Sequence, residues 1–130
     1  MKKIKKTILV VITICFLFAI PVSANSYSFP FPSSANYLGS MRWSSGSTRT
    51  NASAYVYPNA TTISTKYFLT PTYGGNTQAT AVVTISTRAK RYFSWLSGYG
   101  GTGVTYYLAG YPDPTNGTWD AYSIAGTWVD

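Results

Sequence analysis

The densest chemistry in this chain is the run Arg88-Ala89-Lys90-Arg91-Tyr92-Phe93-Ser94-Trp95, where three cations share four positions and three aromatic rings follow. Cations interleaved with rings suit a polyanion or a membrane interface: charge attracts phosphate or carboxylate, and the rings add apolar contact area. Arg88, Lys90, Arg91 and Tyr92 are therefore candidate binding residues. Tyrosine is the second source of binding groups, with 12 in the chain. Tyr73, Tyr99 and Tyr111 fall in Gly- and Pro-rich stretches that read as loops, the usual place for recognition groups. A tyrosine ring offers apolar area and a hydroxyl at small entropic cost, and such rings also stack on sugars.

Catalytic chemistry has little to work with. The chain has no His and no Glu, and its one cysteine is Cys15. That excludes the usual zinc ligand sets and the His-dependent triads. Only Asp113, Asp120 and Asp130 carry carboxylates. Asp113 lies in a proline turn, where an Asp side chain commonly bonds its own backbone. Asp113-Pro114-Thr115-Asn116-Gly117 lacks the acidic ligands of a calcium loop. There is no phosphate loop and no dinucleotide fingerprint. No catalytic residue, metal ligand or cofactor is nominated, and an enzyme is not expected.

The first 24 residues read as a secretion signal. Lys2, Lys3, Lys5 and Lys6 form a basic start, Ile8 to Ile20 is apolar except for Thr13, and Val22-Ser23-Ala24 supplies small side chains for cleavage after Ala24. The apolar run is too short to span a ~30 Å hydrocarbon core. Cys15 follows Ile14 in the middle of that run, which is the wrong place for a lipidation site. The expected products are a signal peptide, 1–24, and one secreted domain, 25–130, with no transmembrane segment. The secreted part has no cysteine, so no disulfide supports it outside the cell. Together with the Lys-rich leader, this points to a bacterium with a single membrane and a thick wall. Cleavage also removes four of the ten cations. Six cations against three aspartates leave +3 rather than +7, too little to argue for a nucleic-acid binder.

Residues 25–130 are rich in Thr, Val, Ile, Tyr, Phe and Trp and poor in helix formers, a composition suited to pleated surfaces. Alternation agrees. Gln78 to Ser86 sets Ala79, Ala81, Val83 and Ile85 on one side; Ser64 to Thr70 sets Thr65, Tyr67 and Leu69 against Lys66 and Phe68. Asp120 to Val129 sets Tyr122, Ile124, Gly126 and Trp128 together, and Val104 to Ala109 alternates as well. Ser53 to Tyr57 is a shorter strand, and Tyr27 to Phe31 is an edge strand that Pro30 and Pro32 end. Arg88 to Leu96 reads as a strand in preference to a helix, with Arg88, Lys90 and Tyr92 on one face and Ala89, Arg91, Phe93 and Trp95 on the other. Asn116-Gly117 reads as a two-residue hairpin turn. Turn signals at intervals of roughly ten residues predict an all-β fold: a single small antiparallel β-sandwich or barrel of about seven strands.

Several short segments carry a family likeness. The leader, Ser26-Tyr27-Ser28-Phe29-Pro30-Phe31, Lys66-Tyr67-Phe68-Leu69, Tyr106-Tyr107-Leu108-Ala109-Gly110 and Tyr122-Ser123-Ile124-Ala125-Gly126-Thr127-Trp128 resemble a family of small secreted proteins of Gram-positive bacteria, known as a domain of unknown function. The resemblance implies no activity. In size, composition and cysteine-free secretion the chain is also similar to the lactococcin-type β-sandwich bacteriocins. The expectation is a secreted, non-catalytic binding or interaction module acting at the cell envelope. Its partner would be an anionic wall polymer, a glycan or a lipid surface, with nucleic acid not expected. The other reading is a bacteriocin-like antimicrobial protein or its protective partner.

Overall fold

The computed structural model describes residues 24–36, 40–50 and 52–130; the expected signal peptide, apart from Ala24, and Cys15 lie outside them. Nine strands form in chain order: β1 (Asn25–Phe31), β2 (Arg42–Trp43), β3 (Ser47–Thr48), β4 (Tyr55–Pro58), β5 (Thr65–Thr70), β6 (Val83–Ile85), β7 (Arg91–Tyr92), β8 (Thr105–Pro112) and β9 (Tyr122–Val129). They make two antiparallel sheets. Sheet A has the order β1-β9-β4-β7, and sheet B the order β2-β8-β5-β6 with β3 also on β8. The result is a sandwich rather than a closed barrel. No helix among the described residues is long and apolar enough to cross a membrane.

Burial alternates along β1 and β4, while β5 and the middle of β8 are buried on both faces, and the inward residues of both sheets form one core. Sheet A contributes Tyr27, Phe29, Phe31, Val56, Ile124 and Trp128, and sheet B contributes Tyr67, Leu69, Ile85, Tyr106 and Leu108. Rings do much of the filling: Tyr27 lies 4.9 Å from Phe29 and 5.8 Å from Tyr67, centroid to centroid. The Tyr27 hydroxyl donates to the Tyr67 hydroxyl at 3.2 Å, and the Thr65 and Tyr122 hydroxyls share a bond of 2.9 Å. Burial raises the Tyr27 hydroxyl to about 12 and drives that of Tyr67 up as well. Both stay protonated at any physiological pH and act as hydrogen-bonding core residues.

The all-β expectation holds, and β1, which among the described residues pairs only with β9, is the edge strand expected there. Four details differ. The count is nine strands, because the chain also forms two two-residue strands, β2 and β3, too short to show alternation. The strand expected over Gln78–Ser86 shrinks to Val83–Ile85. Ala79 and Thr80 are both fully buried and Ala81 is exposed, so the period breaks there. Its cause is a change of partner: Ala79 N–H donates to the Leu69 carbonyl, whereas Ala81 N–H donates to Ser94. Asn116-Gly117 is not a hairpin turn. β8 and β9 belong to different sheets, and a 3-10 turn over Pro114–Asn116 joins them, followed by Gly117 at φ 78°. Finally, Tyr111 lies within β8, not in a loop.

Candidate functional site

The basic run is held at the free edge of sheet A. Ala89 N–H donates to the Thr87 carbonyl at 2.8 Å, a tight turn that re-aims the chain before β7. Arg91 and Tyr92 then pair with Val56 and Tyr55 of β4, and Phe93 N–H continues to the Ala54 carbonyl. Beyond that point Trp95 bridges to Thr80. Of the strand expected over Arg88–Leu96 only Arg91–Tyr92 forms: Arg88 lies in the bend before it, and past Phe93 the chain changes partner from β4 to Thr80. Phe93 is buried, and the half-buried Trp95 ring sits 4.7 Å from Tyr106.

Arg88, Lys90, Arg91 and Tyr92 are all exposed. They do not share one flat face, because the turn at Thr87–Ala89 divides them. Arg88 lines a groove on the outer face of sheet A, over the small side chains Ser26, Ala125 and Thr127 and beside Tyr57. Lys90, Arg91 and Tyr92 line a second recess with Val82, Val83 and Thr84, where the outermost strands of the two sheets face each other. Arg91 does share the inward side of its partner Val56, as alternation requires. It is exposed because β7 is the last strand of sheet A, with no further strand beyond it among the described residues. The Lys90 ammonium lies 4.2 Å over the Tyr55 ring, and Tyr55 meets Tyr92 edge-on at 6.0 Å.

Other cations are already engaged. Arg42 donates to the Pro30 carbonyl, and Arg49 donates to the Gly100 and Ala52 carbonyls while lying 4.5 Å over the Trp95 ring. Lys66 donates to the Thr84 hydroxyl. By contrast, neither Arg88 nor Arg91 has a hydrogen-bond or ion-pair partner among the described residues. The acids are elsewhere. Asp113 caps the 3-10 turn by accepting from Thr115 N–H, the turn role expected of it, and that bond holds its carboxyl below the usual range. Asp130 is buried and accepts from the Ser47 hydroxyl; burial pushes its carboxyl up. Two cations without such a partner, Arg88 and Arg91, are thus concentrated at the β7 edge with Lys90, which lies over the Tyr55 ring.

The three candidate tyrosines separate. Tyr73 is 63% exposed in the turn after β5, and Tyr99 is exposed near Gly98 and Gly100. Tyr111 is half-buried, edge-on to Phe68 at 6.4 Å. Sequence reading missed Tyr55 and Tyr57, whose strand alternation places them outward beside the cations, and Trp43 and Tyr107, which flank Tyr73. For Tyr55 and Tyr57 the signal was present in the β4 alternation Tyr55-Val56-Tyr57. For Trp43 there was none, since β2 has two residues.

Among the described residues no group of three or more His, Cys, Asp or Glu comes together to hold a metal. Compared with protein families, curated proteins and solved structures, the chain matched nothing in any of the three.

Proposed function

We propose that the chain is a secreted, non-catalytic binding module that acts at the bacterial cell envelope and is drawn to anionic polymers there. The observation that carries this reading is the set of exposed cations Arg88, Lys90 and Arg91 on one sheet edge, with Tyr55, Tyr57 and Tyr92 beside them. Rings next to the charges give the short-range contact that a bare basic patch lacks. Lys and Arg on a short edge strand also discourage pairing with another sheet.

The test is direct. Purified residues 25–130 are mixed with washed envelopes of a Gram-positive bacterium at low salt and sedimented. Co-sedimentation that is lost when phosphodiester polymers are stripped from the wall supports the reading. Protein that stays in the supernatant overturns it. Growth inhibition by the pure protein would replace it with the antimicrobial reading.

A further inference from the structure

We infer that a second site, on the outer face of sheet B, binds one neutral pyranose ring of a glycan. Its parts are Trp43 on β2, Tyr107 on β8 and Tyr73 on the turn after β5. In β8 the buried Tyr106 and Leu108 point into the core, so Tyr107 faces outward. Tyr73 lies 6.3 Å from Trp43 and 5.7 Å from Tyr107, tilted to both.

Tyr73 is exposed by construction rather than by chance. The turn that carries it is closed by Gly75 N–H donating to the Thr72 carbonyl, and Gly74 takes φ 78°, a conformation glycine adopts without strain. The Trp43 indole N–H donates to the Gly75 carbonyl at 2.8 Å and ties the turn to β2. Tyr107 is held from the other side, because Gly46 packs against its ring closely enough that a Cβ would lie 2.8 Å from Cε1. An outward ring fixed in this way loses little freedom on binding, which is the advantage of a preorganised site.

The chemistry of the occupant follows from what surrounds the rings. A nucleobase would also stack, but it brings phosphates and needs a cationic groove. The cation on this face, Lys66, is bonded to Thr84 and feels the field of Asp113. A folded protein partner would need about 800 Å² on this side, far more than one prominent ring and two half-buried neighbours present. A pyranose fits: its C–H face lies against the negative face of a ring, and its hydroxyls meet the exposed polar residues Thr72 and Asn76 of the same turn. This site does not depend on the cations of sheet A.

Chitohexaose and cellohexaose, both uncharged, serve as probes in calorimetric titrations of residues 25–130. At least one is expected to bind at millimolar concentration or below, unchanged by high salt. Tyr73→Ala should weaken that binding tenfold or more with an unaltered circular dichroism spectrum, and Tyr73→Phe, which keeps the ring, should stay within threefold. Arg88→Ala with Lys90→Ala should not affect it, which separates this site from the envelope reading. Failure of both oligosaccharides to bind, equal binding by Tyr73→Ala, or loss in Tyr73→Phe overturns the inference. So does Tyr73-dependent binding of an oligothymidylate.

Discussion

The outer faces of the two sheets differ in how they treat charge. At the β7 edge of sheet A three cations lie within four residues and no carboxylate engages them. On the outer face of sheet B the lysine is tied to Thr84, and what reaches solvent most is the Tyr73 ring. Charge attracts at a distance and is screened by salt; an exposed ring attracts only on contact and is not. A sandwich this small can hold both because its core is shared and its faces are independent.

Removing the shared core should abolish the contrast altogether. Trp128 is fully buried between the sheets, so Trp128→Ala is expected to cost ~3–5 kcal/mol and lose both faces together, read by a thermal melt. The next largest effect separates the faces. Arg88→Ala with Lys90→Ala removes about 1 kcal/mol per cation at an anionic surface, or roughly thirtyfold in envelope binding at low salt, without shifting the melt.

Arg49→Ala sharpens the contrast between engaged and free cations. Its guanidinium already serves Gly100, Ala52 and the Trp95 ring. Its loss is expected to lower stability by about 1–3 kcal/mol in a denaturant titration, yet leave envelope binding nearly intact. The smallest effect is on pH dependence. Asp130 has a folded value raised above its ordinary 3.8. It binds its proton more tightly when folded, so its stabilisation is full below 3.8 and lost as pH rises through the folded value. Asp113 has the opposite sign: its contribution is present above 3.8 and lost as pH falls through its lowered value. In a denaturant series, Asp130→Asn should remove the decline above pH 3.8 and leave the acid limb intact.

Regular strands were the legible part of this fold. Thr65, Tyr67 and Leu69 in β5, and Ile124 and Trp128 in β9, fall on the core side as period two requires, although Phe68 and Thr70 on the other face of β5 are buried as well. Residues 79–81 were not legible, because the chain changes hydrogen-bond partner there and period two no longer tracks burial. Asn116-Gly117 misled for a related reason: a two-residue turn is a local signal, but the strands it joins lie in different sheets. At the candidate sites the exposed cations were readable as a run of charge. Their division between two recesses was not, since it depends on one tight turn at Thr87–Ala89. Trp43 and Tyr107 could not be found, because they meet Tyr73 only through tertiary packing.

The central claim is that exposed charge at the β7 edge draws this domain to the envelope. Sedimentation isotherms of the wild type and of Arg88→Ala with Lys90→Ala, on one envelope preparation, test it most directly across salt that shortens the Debye length from ~10 Å at ~0.1 M to ~3 Å at ~1 M. The expected result is a wild-type affinity that starts well above the variant's, falls more steeply with salt and converges on it at the high end. Two parallel curves, or wild-type binding indifferent to salt, would contradict the claim.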